Sequence, residues 1–438
     1  MRRISLRSGV AAAVAAVLAL GLGACNSDSL GGGSGGSSTG GVQNLVVYSA
    51  DPANAKIYQG LLDEFGAANN AKVQLVSYPS ADFIQNFTSA VNGNSQIDAL
   101  FANGQDVRYL KSKSLLRDVS GVADTSALQP IAVDPFTIDS KQYAVGIGAI
   151  NVTAWVYNAD IFAKYKLSPP TSVDDVAAIA DKLKGTGIAP VSVPGGNVYL
   201  WPIWMMQGLQ QTTQNKPLDT TFSTLKTGAP DFTSPEYVDA LGALSTLGSD
   251  KVFANGYQAL QQDAANALFS DGKAAMFFGG TWDVSTIVQQ SPKLNVKLVP
   301  FPTFRPGVQS ASFGGVGMAA AAYSKAPSEH TDLVNKMIQY MASADADKTI
   351  MDGSTSAIGL PAVKSVQPAG TSPLQKELIE SSLPSTVTFL DWYWPKDVTA
   401  AYQQNIQAVV GGTKSPQEAS TAVQKAFDDA KADGWTFS

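Results

Sequence analysis

Short apolar runs alternate with amphipathic segments along the chain that follows residue 43. Three of these runs have the length and composition of β-strands: residues 44–48, 73–76 and 97–101. The segments between them carry apolar residues at helical spacing: residues 55–68, 82–91 and 107–113. Strands that alternate with helices indicate βαβ units, and therefore a mostly parallel sheet with helices packed against it.

The same alternation continues in the second part of the chain. Residues 153–157 and 274–278 predict strands, and a helix is expected to begin near residue 397. Ligands of parallel sheets bind beyond the carboxyl ends of the strands, in the loops that lead to helices. The loops at residues 49–54 and 102–106 are therefore candidate binding loops.

The N-terminus has the pattern of an export signal. Three arginines precede an uncharged apolar run at residues 10–20, and Cys25 follows Leu-Gly-Ala. This arrangement predicts a signal peptide over residues 1–24, because the run is too short to cross a ~30 Å hydrocarbon core. The residues around Cys25 resemble the bacterial lipobox, in which that Cys becomes the lipidated first residue. A core cysteine in an N-terminal helix is the alternative, and general and twin-arginine export both stay open.

Residues 25–43 predict a lipid-anchored tether. Residues 31–41 contain only Gly, Ser and Thr, and such a segment stays a flexible coil because it cannot bury apolar surface. A coil of ~18 residues has a root-mean-square reach of about 25 Å. A globular body held in this way would move just above the extracytoplasmic face of the bacterial membrane.

The globular body after the tether is large and acidic. About 395 residues remain, more than one hydrophobic core usually supports, so two domains are expected. Without the three N-terminal arginines the formal charge changes from −6 to −9, which argues against a nucleic-acid partner. Cys25 is the single cysteine, so its lipidation excludes a disulfide. No later apolar run is long enough to span a membrane.

Four blocks of sequence stand in a recognisable order. Three are Ile97-Asp98 with Leu115-Leu-Arg-Asp118, the Gly-Lys-Ala-Ala-Met block that ends at Trp282, and Ala357-Ile-Gly-Leu-Pro-Ala362. The other combines Asp139-Ser-Lys-Gln-Tyr143, Tyr157-Asn-Ala-Asp-Ile-Phe162 and Pro169-Pro-Thr-Ser172. Together they resemble the family 1 extracellular solute-binding proteins, the carbohydrate receptors of bacterial ABC importers, over residues 44–435.

Three positions depart from the family pattern. Gly146 stands near an expected proline, Val173 replaces a tryptophan, and Gly148 occupies a position where the family often has an acidic residue. These departures leave the expected fold unchanged, but they weaken any expectation about a particular ligand.

The resemblance implies an α/β, two-lobed periplasmic-binding-protein-like fold of type II, in which each lobe is a mostly parallel sheet flanked by helices. Three hinge crossovers are expected, near residues 146–149, 313–318 and 372–377. Glycines support the first two because glycine accommodates backbone rotation, although they could equally be ordinary strand ends. The expected lobes combine distant segments: residues 44–147 with 317–373, and residues 148–316 with 374–438.

A sugar site needs flat aromatic platforms and polar groups that bind hydroxyls. Trp282 follows Gly280 after an apolar strand, and the matching family tryptophan frequently stacks on sugar. Trp392 and Trp394 form an aromatic run where the family often has a binding aromatic. Trp204, close to Trp201, is a third candidate. Core packing is the alternative for each of these tryptophans.

Polar candidates come from the strand-end loops and from the neighbours of the tryptophans. They are Asp51, Asn103, Gln105, Asp106, Asp283 and Asp391, and Gly280 is a point where backbone could approach a ligand. Each polar candidate is also a plausible turn or N-cap residue.

Catalytic motifs are sparse. His330 is the single histidine, no His/Cys cluster has the spacing of metal ligands, and neither a dinucleotide nor a P-loop glycine motif is complete. We therefore expect a binding protein without a cofactor or metal. A glycoside hydrolase, which needs only two carboxylates, is the enzymatic alternative.

The sequence thus predicts a lipid-anchored, monomeric receptor that closes on a mono- or oligosaccharide and presents it to an ABC permease. The candidate loops carry no Arg or Lys, which argues against an anionic ligand. Their aspartates leave a cationic or amino-sugar solute open as the alternative.

Overall fold

The chain forms two units in the computed structural model, residues 1–41 and residues 42–438. The structure describes residues 42–212, 231–249, 251–304, 307–308, 310, 312–353, 358–367, 372–382 and 386–434. All of these belong to the second unit. The predicted signal peptide, Cys25 and most of the tether lie outside the described residues.

The described residues contain both strands and helices. The strands are β1 (Gln43–Ser49), β2 (Ala71–Ser77), β3 (Ala99–Ala102), β4 (Thr137–Ile138), β5 (Lys141–Gln142), β6 (Ala144–Asn158), β7 (Ala189–Ser192), β8 (Ala274–Gly280), β9 (Val296–Val299), β10 (Ser312–Ala322), β11 (Leu360–Pro361) and β12 (Thr386–Thr388). The helices are α1 (Ala55–Ala68), α2 (Ser80–Asn92), α3 (Gly104–Ser112), α4 (Ala159–Tyr165), α5 (Val173–Leu183), α6 (Trp201–Thr212), α7 (Pro235–Ser249), α8 (Gln262–Ser270), α9 (Thr281–Gln290), α10 (Thr331–Met341), α11 (Ala344–Gly353), α12 (Pro373–Ser382), α13 (Lys396–Val410) and α14 (Pro416–Ala432).

The main sheet has two parallel parts joined by two antiparallel strands. Its order is β2-β1-β3-β10-β6-β8-β7, with β9 and β11 also paired to β6 and β12 paired to β10. Strand β1 runs parallel to both β2 and β3, and β7 runs parallel to β8. The long strands β6 and β10 run antiparallel to each other between these two parts. This arrangement confirms the predicted α/β class.

Local sequence explains several element boundaries. Helix α1 spans the residues predicted for it and buries the apolar face that carries Leu61, Leu62 and Phe65. The side chain of Ser172 accepts a hydrogen bond from the Asp175 amide, while the Asp175 carboxylate accepts one from the Ser172 amide. This capping box begins α5 by satisfying two amides that the helix leaves unpaired.

Strand β6 is much longer than the predicted strand at residues 153–157. It begins at Ala144 and is buried along almost its whole length. Because both faces are covered, its first half has no alternation of polar and apolar residues, and Gly146 and Gly148 make it resemble a loop. The sequence pattern therefore detected only the second half.

Two hydrophobic clusters form the core of the described residues. The first includes buried side chains of β1, β3, α1, α2 and α10 together with the central strands. The second joins α5, α6, α7, α13 and α14 to the outer face of β8 and contains the fully buried Trp201 and Trp204. The first cluster also contains Ala274 and Phe277 of β8 and Phe269 of α8, so it extends along both parallel parts of the sheet.

The pairing of β6 with β10 is irregular where the first two crossovers were predicted. Val316 pairs with Ile150, but Met318 pairs with Ile147, so the register shifts between them. Gly148 lies at this irregularity with a φ of +71°, a backbone conformation that suits glycine. The exact lobe boundaries stay a prediction.

Strand β2 is an edge of the main sheet, and α1 covers that edge with one side chain. The Gln59 amide nitrogen donates to the Val73 carbonyl at 2.8 Å, and its oxygen accepts from the Leu75 amide at 2.9 Å. One side chain thus satisfies two backbone groups that a further strand would otherwise pair.

We predict that Gly148→Ala lowers the free energy of unfolding by about 2–5 kcal/mol, as measured by urea denaturation. The new Cβ would lie 2.6 Å from Ile350 Cγ2, in addition to the strain of the positive φ. Gly185→Ala is the matched control, because Gly185 has a φ of +77° and no atom within 4 Å of its Cβ position. We expect the control to lose only about 1–2 kcal/mol, and equal losses would contradict the packing argument.

Candidate functional site

The carboxyl ends of the parallel strands face each other across the long strand β6. Ala102 at the end of β3 pairs with Ala319, which pairs with Gly146, while Gly280 at the end of β8 pairs with Thr153. Seven residues of β6 separate these two positions, or about 23 Å at ~3.3 Å per residue. Loops from both parts of the sheet therefore end beside the same stretch of β6.

Trp282 is half-buried at the start of α9, directly after the end of β8. Its indole lies over the backbone of Gly280, because a Cβ at Gly280 would be 2.2 Å from the ring. Close contact between a ring and the backbone is possible only without a side chain at that position. Gly280 therefore positions the indole, and its own backbone lies beneath the ring.

Tyr199 is the neighbour of Trp282 that sequence reasoning missed. Their ring centroids are 6.5 Å apart with an interplanar angle of 50°. The Tyr199 side chain is 39% exposed, and in the described residues only Val42 is another exposed large hydrophobic residue. Burial raises the pKa of its hydroxyl well above the usual value, and the charge of Asp283 raises it further.

Asn151 is a second site residue that the sequence did not reveal. Its Oδ1 accepts from the Thr281 hydroxyl at 3.1 Å, which ties β6 to the helix that carries Trp282. Its Nδ2 lies 3.2 Å from the Cβ position of Gly317, the one part-exposed residue of β10 between Phe313 and Ala322. That nitrogen has no hydrogen-bond partner in the described residues. The sequence signal that could have identified Asn151 is a single amide side chain within an otherwise apolar strand.

Trp392 connects loops from both parts of the sheet. Its half-buried indole lies against Gly104 at the start of α3 and against Gly315 on β10, where a Cβ would be 2.2 Å and 2.3 Å from the ring respectively. Gly315 pairs with Asn151, so Trp392 lies on the same face of the long strands as Asn151. We refer to Asn151, Tyr199, Trp282, Gly317 and Trp392 as the candidate site.

Contacts beside Trp392 link the same two parts. The Arg108 guanidinium lies 4.2 Å from the centroid of the Tyr393 ring, and Lys396 Nζ lies 3.4 Å from Asp106 Oδ1. Burial raises the pKa of Asp106, and the nearby Lys396 opposes that change. These contacts already use the Asp106 carboxylate, which was a predicted ligand group.

Asn103 and Asp51, predicted residues of the first strand-end loops, also have partners within the protein. Asn103 caps α3 by accepting the Asp106 amide at 2.9 Å, and half-buried Gln105 lies in the same turn. Asp51 accepts hydrogen bonds from the Asn54 side chain at 2.7 Å and from the Tyr58 hydroxyl at 3.3 Å. These residues organise their turns and lie at the sheet edge beside the site.

Four predicted site residues besides Asp106 are buried instead of lining the surface. Trp204 is 0% exposed and packs edge-on against Trp155 at 5.3 Å, and Trp394 packs against Tyr402 at 4.8 Å. Asp283 and Asp391 are also buried, and burial raises their pKa to about 7 and about 6. Core packing, the alternative stated for each tryptophan, describes Trp204 and Trp394, so we leave these four out of the candidate site.

The single histidine has a structural position. His330 Nδ1 lies 2.7 Å from the buried Asp98 carboxylate, which also accepts the Val46 amide at 2.7 Å. Among the described residues, no group of three or more His, Cys, Asp or Glu side chains could hold a metal ion. The helices of the described part include none that is both long and apolar enough to cross a membrane.

Comparison with known proteins matches this chain to a protein family. The profile of the bacterial extracellular solute-binding proteins matches residues 60–378. The multiple sugar-binding protein of Streptococcus mutans serotype c is 23% identical over 310 residues, which cover 69% of this chain and 71% of that protein. The maltodextrin-binding protein MdxE of Bacillus subtilis (strain 168) is 22% identical over 349 residues, with 78% of each chain covered. A solved chitin oligosaccharide binding protein has a TM-score of 0.76 at 19% identity, covering 90% of this chain and 100% of that one.

We predict that the free energy of unfolding falls as the pH rises from about 4 to about 7. Burial raises the folded-state pKa of Asp391 to about 6 and those of Asp283 and Asp347 to about 7. The pKa of an aspartate in the unfolded chain is about 3.9. The folded protein therefore binds more protons in this window, and that stability is lost as the pH rises. Asp391→Asn should flatten the slope, as measured by thermal unfolding at several pH values.

Asp175→Asn is the control of opposite sign. Hydrogen bonds from Thr171 and Ser172 lower the pKa of the Asp175 carboxyl. The wild-type residue therefore stabilises the protein at neutral pH, and this advantage fades as the pH falls. A slope that stays the same in Asp391→Asn would contradict the assignment.

Proposed function

The chain belongs to the bacterial extracellular solute-binding proteins, and on this premise we propose that it captures a mono- or oligosaccharide and delivers it to an ABC permease. The family acts outside the cytoplasm. One observation carries the proposal for a saccharide: Tyr199 is exposed beside half-buried Trp282, and the side-chain nitrogen of Asn151 has no hydrogen-bond partner among the described residues. Ring faces suit the C–H surfaces of a sugar, and the amide suits its oxygens.

The distribution of charge supports a neutral solute over a cationic one. Asp283 and Asp391 are buried, Asp106 faces Lys396, and Asp51 accepts hydrogen bonds from Asn54 and Tyr58. A cationic ligand would need a carboxylate that is accessible and free of such partners. The aspartates that kept a cationic or amino-sugar solute open are thus engaged within the protein.

Capture would proceed through a hinge between two lobes that share β6 and β10, with the lobes as predicted from the sequence. A ligand shifts an equilibrium between open and closed forms only through its differential affinity for them. By the predicted bounds, Tyr199, Trp282 and Trp392 belong to one lobe, and Asn151 belongs to the same lobe. Gly317 and Gly104, against which Trp392 lies, belong to the other. A solute that touches residues of both lobes favours closure.

The proposed function requires a location outside the cytoplasm and near the permease, as the sequence predicts. A lipid on Cys25 and the tether at residues 26–43 would hold a monomeric receptor at the outer face of the membrane, near the permease. The enzymatic alternative predicts turnover of a saccharide, so an assay for released reducing ends distinguishes a receptor from a glycoside hydrolase.

We predict that the purified protein is stabilised by at least one member of a saccharide panel that includes glucose, maltotriose and chitotriose. A saccharide at 100 times its Kd should add about 2.7 kcal/mol to the free energy of unfolding. Trp282→Ala should weaken that binding at least tenfold without unfolding the protein, and Trp282→Phe should weaken it less because a ring remains. Stabilisation by spermidine and by no saccharide would reject the proposal.

We predict that Gly317→Leu blocks the site from its floor. Only Asn151 Nδ2 lies within 4 Å of the Cβ position of Gly317, so the side chain should be accommodated in the folded protein. Isothermal titration with the tightest saccharide of the panel should show at least a tenfold loss of affinity, with a thermal midpoint close to wild type. Gly315→Leu is the contrast, because its Cβ would lie 2.3 Å from the Trp392 ring and should destabilise the fold. Unchanged affinity in Gly317→Leu would place the solute elsewhere.

A further inference from the structure

Asp283 lies beneath the turn that carries Trp282. It is the third residue of α9 and is fully buried, so a solute in the candidate site does not reach it. Its Oδ2 accepts the Gly280 amide at 3.0 Å. A Cβ at Gly279 would lie 2.4 Å from the same oxygen, and a Cβ at Gly280 would lie 2.2 Å from the indole. Two glycines thus accommodate a carboxylate on one side and a ring on the other.

The neighbours of Asp283 come from three elements. Helix α8 contributes the amide side chains of Gln262 and Asn266, which favour the charged carboxylate, and the charge of Asp263, which opposes it. Tyr199 precedes α6, and the charge of Asp283 raises the pKa of its hydroxyl. One buried group therefore contacts the backbone beneath Trp282 and acts electrostatically on Tyr199, the two aromatic residues of one wall.

Burial is the largest influence on this carboxyl. It raises the pKa of Asp283 to about 7, while the Gly280 amide, Asn266 and Gln262 act in the opposite direction. The charge state of the group consequently changes within the neutral range. An ionised carboxylate accepts an amide hydrogen bond more strongly than a protonated one does. The hydrogen bond from the Gly280 amide to Asp283 should therefore become stronger when the carboxyl group of Asp283 loses its proton.

We propose that Asp283 is a positioning residue of the candidate site, which holds the indole of Trp282 in place through the Gly280 amide and makes that placement depend on its own charge. The proposal rests on the proposed function only where it concerns ligand affinity. The link between Asp283 and Trp282 is a property of the unliganded protein and can be tested without a ligand.

The proposal predicts how ligand affinity depends on pH. The ionised carboxylate holds the Gly280 amide more strongly, so the indole above it has less freedom to lose when a solute stacks on it. Binding is then accompanied by proton release from Asp283, so affinity rises as the pH rises through the neutral range. A ligand-induced change of one pKa unit corresponds to at most about a tenfold change in affinity.

The test uses the full protein labelled with 5-fluorotryptophan, followed by 19F NMR from pH 5.5 to 8.5. The Trp282 resonance is assigned from its absence in Trp282→Phe. We expect it to shift with a midpoint near pH 7 in the wild type and to stay constant in Asp283→Asn, which keeps the hydrogen-bond acceptor but not the charge. Asp347→Asn is the matched control, because burial also raises the pKa of Asp347 to about 7, on the distant helix α11. The control should titrate like the wild type.

Asp263→Asn keeps the test decisive if Asp283→Asn does not fold. The charge of exposed Asp263 opposes ionisation of Asp283, so its loss should move the midpoint of the Trp282 resonance to lower pH. A Trp282 resonance that does not titrate, or that titrates equally in Asp283→Asn, would overturn the proposal. So would a midpoint that moves to higher pH in Asp263→Asn.

A second arm measures affinity at pH 6 and pH 8 with the tightest saccharide of the panel. We expect the wild type to bind three- to tenfold more tightly at pH 8, and Asp283→Asn to bind equally at both values. Equal affinity of the wild type at both values would refute the proton linkage. If no saccharide binds, the proposed function fails, while the 19F titration still decides the role of Asp283.

Discussion

The structure depends on two strands that belong to both halves of the sheet. Strands β6 and β10 pair with each other from Gly314 to Ala321, and each also pairs with strands of a parallel part. Their backbone hydrogen bonds determine how far apart the two sets of strand ends lie. The register shift at Gly148 interrupts this pairing at one place. A site built from loops on both sides of β6 and β10 therefore has a fixed distance between its two groups of loops. The pairing that fixes this distance is irregular at one place, Gly148.

Tryptophan and glycine occur together throughout the candidate site. Gly104, Gly280 and Gly315 each lie so close to an indole that a Cβ would overlap the ring. A ring that lies directly on backbone loses few conformations when a ligand arrives, because it has little freedom beforehand. The three glycines thus explain how half-buried aromatic side chains stay ordered at a surface.

Much of the fold could be predicted because strands and helices of the first part have clear periods. The helix at residues 55–68 and the caps at Ser172 and Asn158 depend on local sequence alone. The site was less accessible, since a tryptophan carries no local sign of the face it takes: Trp282 and Trp392 lie at the surface, while Trp204 and Trp394 lie in the core. Asn151 becomes a site residue only through its contact with Thr281, 130 positions away, and Tyr199 only through its packing against the distant Trp282.

The Gln59 side chain on α1 protects the edge of strand β2 from pairing with another strand. An uncovered edge offers its peptide groups to any extended segment that collides with it. Here the Val73 carbonyl and the Leu75 amide are already occupied, so an incoming chain would have to displace the glutamine first. Two copies of this protein can therefore meet along this edge without their sheets joining into one continuous sheet.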